Sequence, residues 1–112
     1  LGVASPGDRR DALKSPLENL VQRTLPIVSV DIPSSWNVDD GPQTSALARS
    51  FMPDVLVSLT APKRGSAFFT GGKHWLGGRF VDAALDAKYD LRLPPYPGTS
   101  QVVDITGAMP LD

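Results

Sequence analysis

Leu13, Leu17, Leu20 and Val21 recur at helical spacing, and the next apolar run, Ile27-Val28-Ser29-Val30, changes to the β-branched composition of a strand. Ser15-Pro16-Leu17-Glu18 is a capping box with proline at the first helical position, where serine oxygen and glutamate satisfy orphan amides. This predicts a helix from about Pro16 to Arg23, ended by Thr24-Leu25-Pro26. The run 27–30 predicts a strand covered on both faces, as in a parallel sheet.

Residues 33–53 are polar and rich in Ser, Gly and Pro, with a brief helical signal in "SALARSF", so they read as a crossover. A second buried strand follows at Asp54–Thr60, giving the order of an α/β fold. Further on, Trp75–Val81 reads as a strand, Ala83–Tyr89 as a short helix, "LRLPPYPGT" as an extended proline-rich segment and Gln101–Ile105 as a last strand. The tail "TGAMPLD" is expected to fray.

The first two strands share an internal pattern. Val28-Ser29-Val30-Asp31-Ile32-Pro33 lines up with Val57-Ser58-Leu59-Thr60-Ala61-Pro62: an apolar run, a polar residue, a spacer and a proline that cannot continue the ladder. In open parallel sheets ligands gather beyond the carboxyl ends of strands. Asp31, Ser34, Thr60 and Lys63 are expected at that edge. Asp31 reads either as a turn cap bonding amides two residues on or as a carboxylate at a dry rim, available for acid/base work or for binding a ribose or amide.

Composition narrows the chemistry. The 112 residues are 41% hydrophobic and 21% charged, the profile of one globular domain or part of one. Eleven basic against twelve acidic residues offer no concentrated basic patch, which argues against nucleic acid as a partner. The absence of cysteine excludes disulfides and thiolate chemistry. No apolar run is long enough for a membrane-spanning helix. With a single histidine, His74, a histidine-based zinc site or a serine triad is not expected, and packing or surface exposure is. The glycine-bounded loop Gly2-Val3-Ala4-Ser5-Pro6-Gly7-Asp8 exposes amides but lacks any P-loop pattern. The opening "LGVASPGD" has no element in front of it, so the chain is expected to be the C-terminal part of a longer protein.

"VSVDIPSSWNVDDG", "PDVLVSLTAPKRG", "HWLGGRFV" and "KYDLRLPPYPGTSQVV", in this order, resemble the C-terminal half of the NAD(P)HX epimerases, the YjeF N-terminal domain family that includes apolipoprotein A-I-binding protein. The resemblance implies a Rossmann-like three-layer α/β/α sandwich and a homodimer. It implies epimerisation of the R and S forms of hydrated NADH and NADPH. Gly2, Val3, Ala4, Ser5, Pro6, Gly7 and Asp8 match the family's substrate-binding loop, Asp31 its substrate-binding aspartate and candidate acid/base group, and Ser34 a potassium-binding serine. Ser35 stands where many members have glycine. The family further implies a potassium cofactor, an apolipoprotein-type partner, and a cytoplasmic or mitochondrial location set by a targeting region outside this chain. The alternatives are a non-catalytic binding or dimerisation scaffold of the same fold, and an inactive truncated fragment.

Overall fold

A computed structural model describes residues 16, 18–22, 25–43 and 51–108. Pro16 and residues 18–21 are helical, with the Gln22 amide donating to Glu18 O at 3.1 Å. Ser15, Leu17 and all but the last residue of "SALARSF" lie outside the described residues.

The described elements run β1 (Val28–Val30), β2 (Trp36–Asn37), β3 (Gly41–Pro42), β4 (Val55–Leu59), a 3₁₀ turn (Arg64–Phe68), β5 (Lys73–Gly77), α1 (Ala83–Tyr89) and β6 (Val102–Asp104). A four-stranded sheet has the order β1-β4-β5-β6. The first three strands are parallel, with Val30 opposite Val57 and Val57 opposite Trp75, and β6 returns antiparallel to β5. The fold is therefore mixed α/β on a parallel sheet, the class that the element order predicts. The helix Ala83–Tyr89 appears where expected: Asp82 caps it by accepting from the Leu85 amide at 2.8 Å, and Asp90 ends it in the left-handed region.

Side chains alternate across a strand, so register assigns each residue to a face. Leu56, Ser58, His74 and Leu76 share the buried face, which continues into a core of Ile32, Trp36, Phe51 and Ile105. Each large apolar side chain buried there contributes roughly 1.5–3 kcal/mol. Trp36 is sealed in with its indole N–H donating to Phe51 O at 3.1 Å, so its polar end is satisfied. The opposite face differs from expectation: Val28 and Val30 are 58% and 53% exposed, on a strand that forms the sheet edge among the described residues. The run 27–30 is apolar on both sides but buried on neither to the degree predicted.

Two short elements had no counterpart in the periodicity. The β2–β3 hairpin pairs Trp36 with Pro42 and Asn37 with Gly41. Its turn is built by the Asn37 side chain, whose Oδ1 accepts from the Asp39 and Asp40 amides at 2.8 Å each. The 3₁₀ turn then docks on it through the Gly65 amide, which donates to Val38 O at 2.7 Å. Residue 65 must be glycine, since a Cβ there would overlap the backbone oxygen of Asn37.

Candidate functional site

The internal likeness of the two strand ends becomes a likeness of backbone. On leaving β1, Asp31 N–H donates to Val57 O at 2.7 Å; on leaving β4, Thr60 N–H donates to Gly77 O at 2.9 Å. Each chain then reverses in a three-residue turn: Ile32 N–H donates to Val30 O at 3.1 Å, and Ala61 N–H donates to Leu59 O at 2.7 Å. The central residues, Asp31 at φ 74° and Thr60 at φ 67°, are left-handed. Such γ-turns are rare and strained, and each costs about 1–3 kcal/mol in a non-glycine residue. Asp tolerates this region better than a β-branched Thr does. The prolines at 33 and 62 carry no amide, so neither strand can extend past its turn.

Lys63 joins the two ends. Its Nζ lies 2.9 Å from Asp31 Oδ1, and it donates to Leu59 O at 3.2 Å and Ala61 O at 3.4 Å. Asp31 Oδ1 is buried and accepts no aligned hydrogen bond, so the ammonium compensates it as a charge rather than as a directed donor. The pair is partly exposed, at 36% and 23% for the lysine and aspartate side chains. Water screening therefore keeps its contribution to stability small. The lysine backbone is held from the other side, where buried Ser66 donates to Lys63 O from its amide at 3.0 Å and from its hydroxyl at 2.6 Å.

Ser34 and Ser35 sit in the next turn, closed by Trp36 N–H donating to Pro33 O at 3.1 Å. Ser35 occupies its third position at φ 70°, which explains why glycine suits that place. Ser35 Oγ is buried without a hydrogen-bond partner. Ser34 lines a cavity of about 330 Å³ with Ile27, Val30, Ile32 and Phe51 among its other walls, and Asp31 is not one of its lining residues. Of the four residues expected at one edge, Asp31, Thr60 and Lys63 come together there, while Ser34 faces this neighbouring cavity. Among the described residues no three His, Cys, Asp or Glu side chains cluster as a metal site. The hydroxyls of Ser34 and Ser35, with the turn's carbonyls, are oxygen ligands of the kind that suits hard cations.

His74 has a packing role. It is 3% exposed, shares a 2.8 Å hydrogen bond between Nε2 and the fully buried Ser58 Oγ, and meets Phe69 edge-on. Burial lowers its pKa, against an opposing pull from Asp104. The His74 amide donates to Thr106 Oγ1 at 3.0 Å, and Thr106 in turn donates to Asp104 Oδ1 from its amide at 2.9 Å and from its hydroxyl. These Thr106 bonds, with Lys73 2.9 Å from Oδ2, hold the Asp104 carboxyl well below the usual carboxylate range. Thr106, expected to fray, is pinned; residues 109–112 lie outside the described residues, as do Gly2, Val3, Ala4, Ser5, Pro6, Gly7 and Asp8.

A sheet with three parallel strands, two of whose carboxyl ends meet through a strained aspartate and its lysine, defines an α/β domain of the kind whose ligands gather at that edge. The family model described as YjeF-related protein N-terminus matches residues 1–65. The chain belongs to that family. It is 50% identical over 94% of its length to the NAD(P)H-hydrate epimerase of Schizosaccharomyces pombe, covering 43% of that protein. It is also 50% identical over 94% of its length to the NAD(P)H-hydrate epimerase of Mycosarcoma maydis, covering 41%. The chain thus spans less than half the length of these curated relatives. A solved structure, that of yeast ynu0 (YNL200c), superposes with a TM-score of 0.75 at 37% identity, over 85% of this chain and 40% of the yeast one. No helix among the described residues is long and apolar enough to cross a membrane.

Proposed function

We propose that this chain forms one wall of the nucleotide site of an NAD(P)H-hydrate epimerase, acting on the hydrated forms of NADH and NADPH. The observation that carries the reading is Asp31, held in a strained turn at the carboxyl end of β1, in a chain half identical to proteins of that name. In this reading the carboxyl group moves a proton at the carbon bearing the hydroxyl. The C–O bond breaks as the oxygen takes a proton and leaves as water, and the ring nitrogen lone pair stabilises the planar cation. Water then adds to either face and returns the proton, which interconverts the R and S forms without net change.

Potassium is proposed as the cofactor. Ser34 would hold it, and the orphaned, buried Ser35 Oγ beside it fits an oxygen-coordinated cation. When bound, such an ion supplies fixed positive charge near an anionic nucleotide. The loop Gly2 to Asp8 is proposed to bind substrate, and the intact domain to form a homodimer.

The test is incubation of the intact protein with the R hydrate of NADH and of NADPH, followed by chiral separation. Accumulation of S hydrate well above the uncatalysed rate is expected, and its absence at high enzyme concentration would remove the proposal.

A further inference from the structure

Lys63 is the group that physically connects the two strained turns. One ammonium reaches the carbonyls on both sides of Thr60, those of Leu59 and Ala61, and the carboxylate of Asp31 on the neighbouring strand. Those carbonyls flank a residue in the left-handed region, so a charge placed between them favours the strained turn over its relaxed alternatives. The backbone from which the lysine reaches is fixed, because its own carbonyl is held twice by buried Ser66 and the next residue but one, Gly65, is locked against the hairpin. The ammonium faces Oδ1, which is sealed from solvent although the aspartate side chain is 23% exposed, so the exposed part of that side chain lies away from the lysine-facing oxygen.

We propose that Lys63 is a positioning residue for Asp31: it straps the turn after β4 to the turn after β1 and fixes which carboxylate oxygen faces the substrate. The inference rests on the reading of Asp31 as the acid/base group. It gives Lys63 no contact with the nucleotide, and so separates it from a phosphate-binding lysine, which would act on substrate affinity instead.

The test compares Lys63→Met, Lys63→Arg and Asp31→Asn in the intact protein, by epimerisation kinetics and by amide hydrogen exchange. Lys63→Met is expected to lower kcat about 10–100-fold with KM within about threefold, the signature of an interaction used in the transition state. The Ile32 and Ala61 amides, which close the two turns, should exchange faster, while those of Leu56 and Leu76 in the sheet interior should not change. Lys63→Arg should recover most of both readouts, because a guanidinium can still bridge carbonyls and carboxylate. Adding Lys63→Met to Asp31→Asn should cost no further activity, since the lysine acts through the aspartate. A KM increase with unchanged kcat, a further loss in the double variant, or unaltered exchange at Ile32 and Ala61 would each overturn the strap. Should Lys63→Met fail to fold, Lys63→Arg decides: loss of activity with normal exchange protection also overturns it. A wild-type protein without epimerase activity would defeat the reading of function alone, and exchange at the two amides would then decide the strap by itself.

Discussion

Asp31 and Thr60 leave adjacent parallel strands through the same turn, yet one carries a carboxylate and the other a hydroxyl. The backbone strain is shared and the chemistry is not. Geometry therefore marks the rim as a place where unusual conformations are maintained, and the side chain, with the lysine drawn to it, separates the two positions: under the proposed function Asp31 is the reacting group and Thr60 a frame residue. Thr60 serves as the internal control for Asp31.

The largest expected effect breaks that symmetry outright. Asp31→Asn in the intact protein should slow epimerisation by at least about 10²-fold, the lower range for one positioned acid/base group. Asparagine keeps the shape and tolerates left-handed backbone, so the circular dichroism spectrum should be unchanged. Thr60→Ala should leave the rate near wild type. Equal losses at the two positions, seen by direct hydrate assay, would show that the turns matter and the carboxylate does not.

A smaller effect sharpens the comparison through stability. Thr60→Gly relieves a β-branched residue of its left-handed conformation and should raise stability by about 1 kcal/mol, measured by urea unfolding. Asp31→Gly should gain less, because Asp already tolerates that region and because the substitution removes the partner of Lys63. A greater gain at Asp31 than at Thr60 would reverse the assignment of strain.

Ser35→Gly extends the same logic to the neighbouring turn. Glycine suits φ 70°, and the substitution deletes a buried hydroxyl without a partner, so a gain of roughly 1 kcal/mol is expected in the absence of potassium. If Ser35 Oγ helps hold potassium, added potassium should raise the thermal midpoint of wild type more than that of the variant. An identical response in the two proteins would exclude the hydroxyl from the cation site.

The smallest effect separates the rim from the sheet beneath it. Burial lowers the His74 pKa, so the unfolded chain binds its proton at higher pH than the folded one. Below about pH 6.5 the unfolded state therefore holds more protons and stability falls with falling pH, until the folded histidine is protonated as well. His74→Gln should flatten this slope in unfolding measurements between pH 7 and pH 5. A slope that survives His74→Gln would trace the effect to another group.

Much of this arrangement was legible in the residue order. The repeated pattern of apolar run, polar residue, spacer and proline marked both strand ends, and the short helix read at Ala83–Tyr89 is observed there as α1. The hairpin was missed, although Asn37-Val38-Asp39-Asp40-Gly41 carried its signal: a side chain able to cap two amides, followed by a left-handed glycine. The buried state of His74 against Ser58 could not be read from spacing, because the two meet only through the register of β4 and β5. For the same reason the run 27–30 looked doubly covered: composition records how apolar a strand is, while exposure depends on what lies beside it.

Sequence alone determined where β1 and β4 stop and which side chains stand at their ends, because proline's missing amide and the preferences of Asp and Thr act within a few residues; the expected strand Trp75–Val81, with no such stop signal, instead runs Lys73–Gly77. Only the tertiary structure decided that Lys63 belongs to Asp31. That pairing required parallel strands in register, a 3₁₀ turn seated on a hairpin, and an ammonium delivered from the far side of the second turn. Sterics along a chain are local, whereas the meeting of two charges is settled by packing across it.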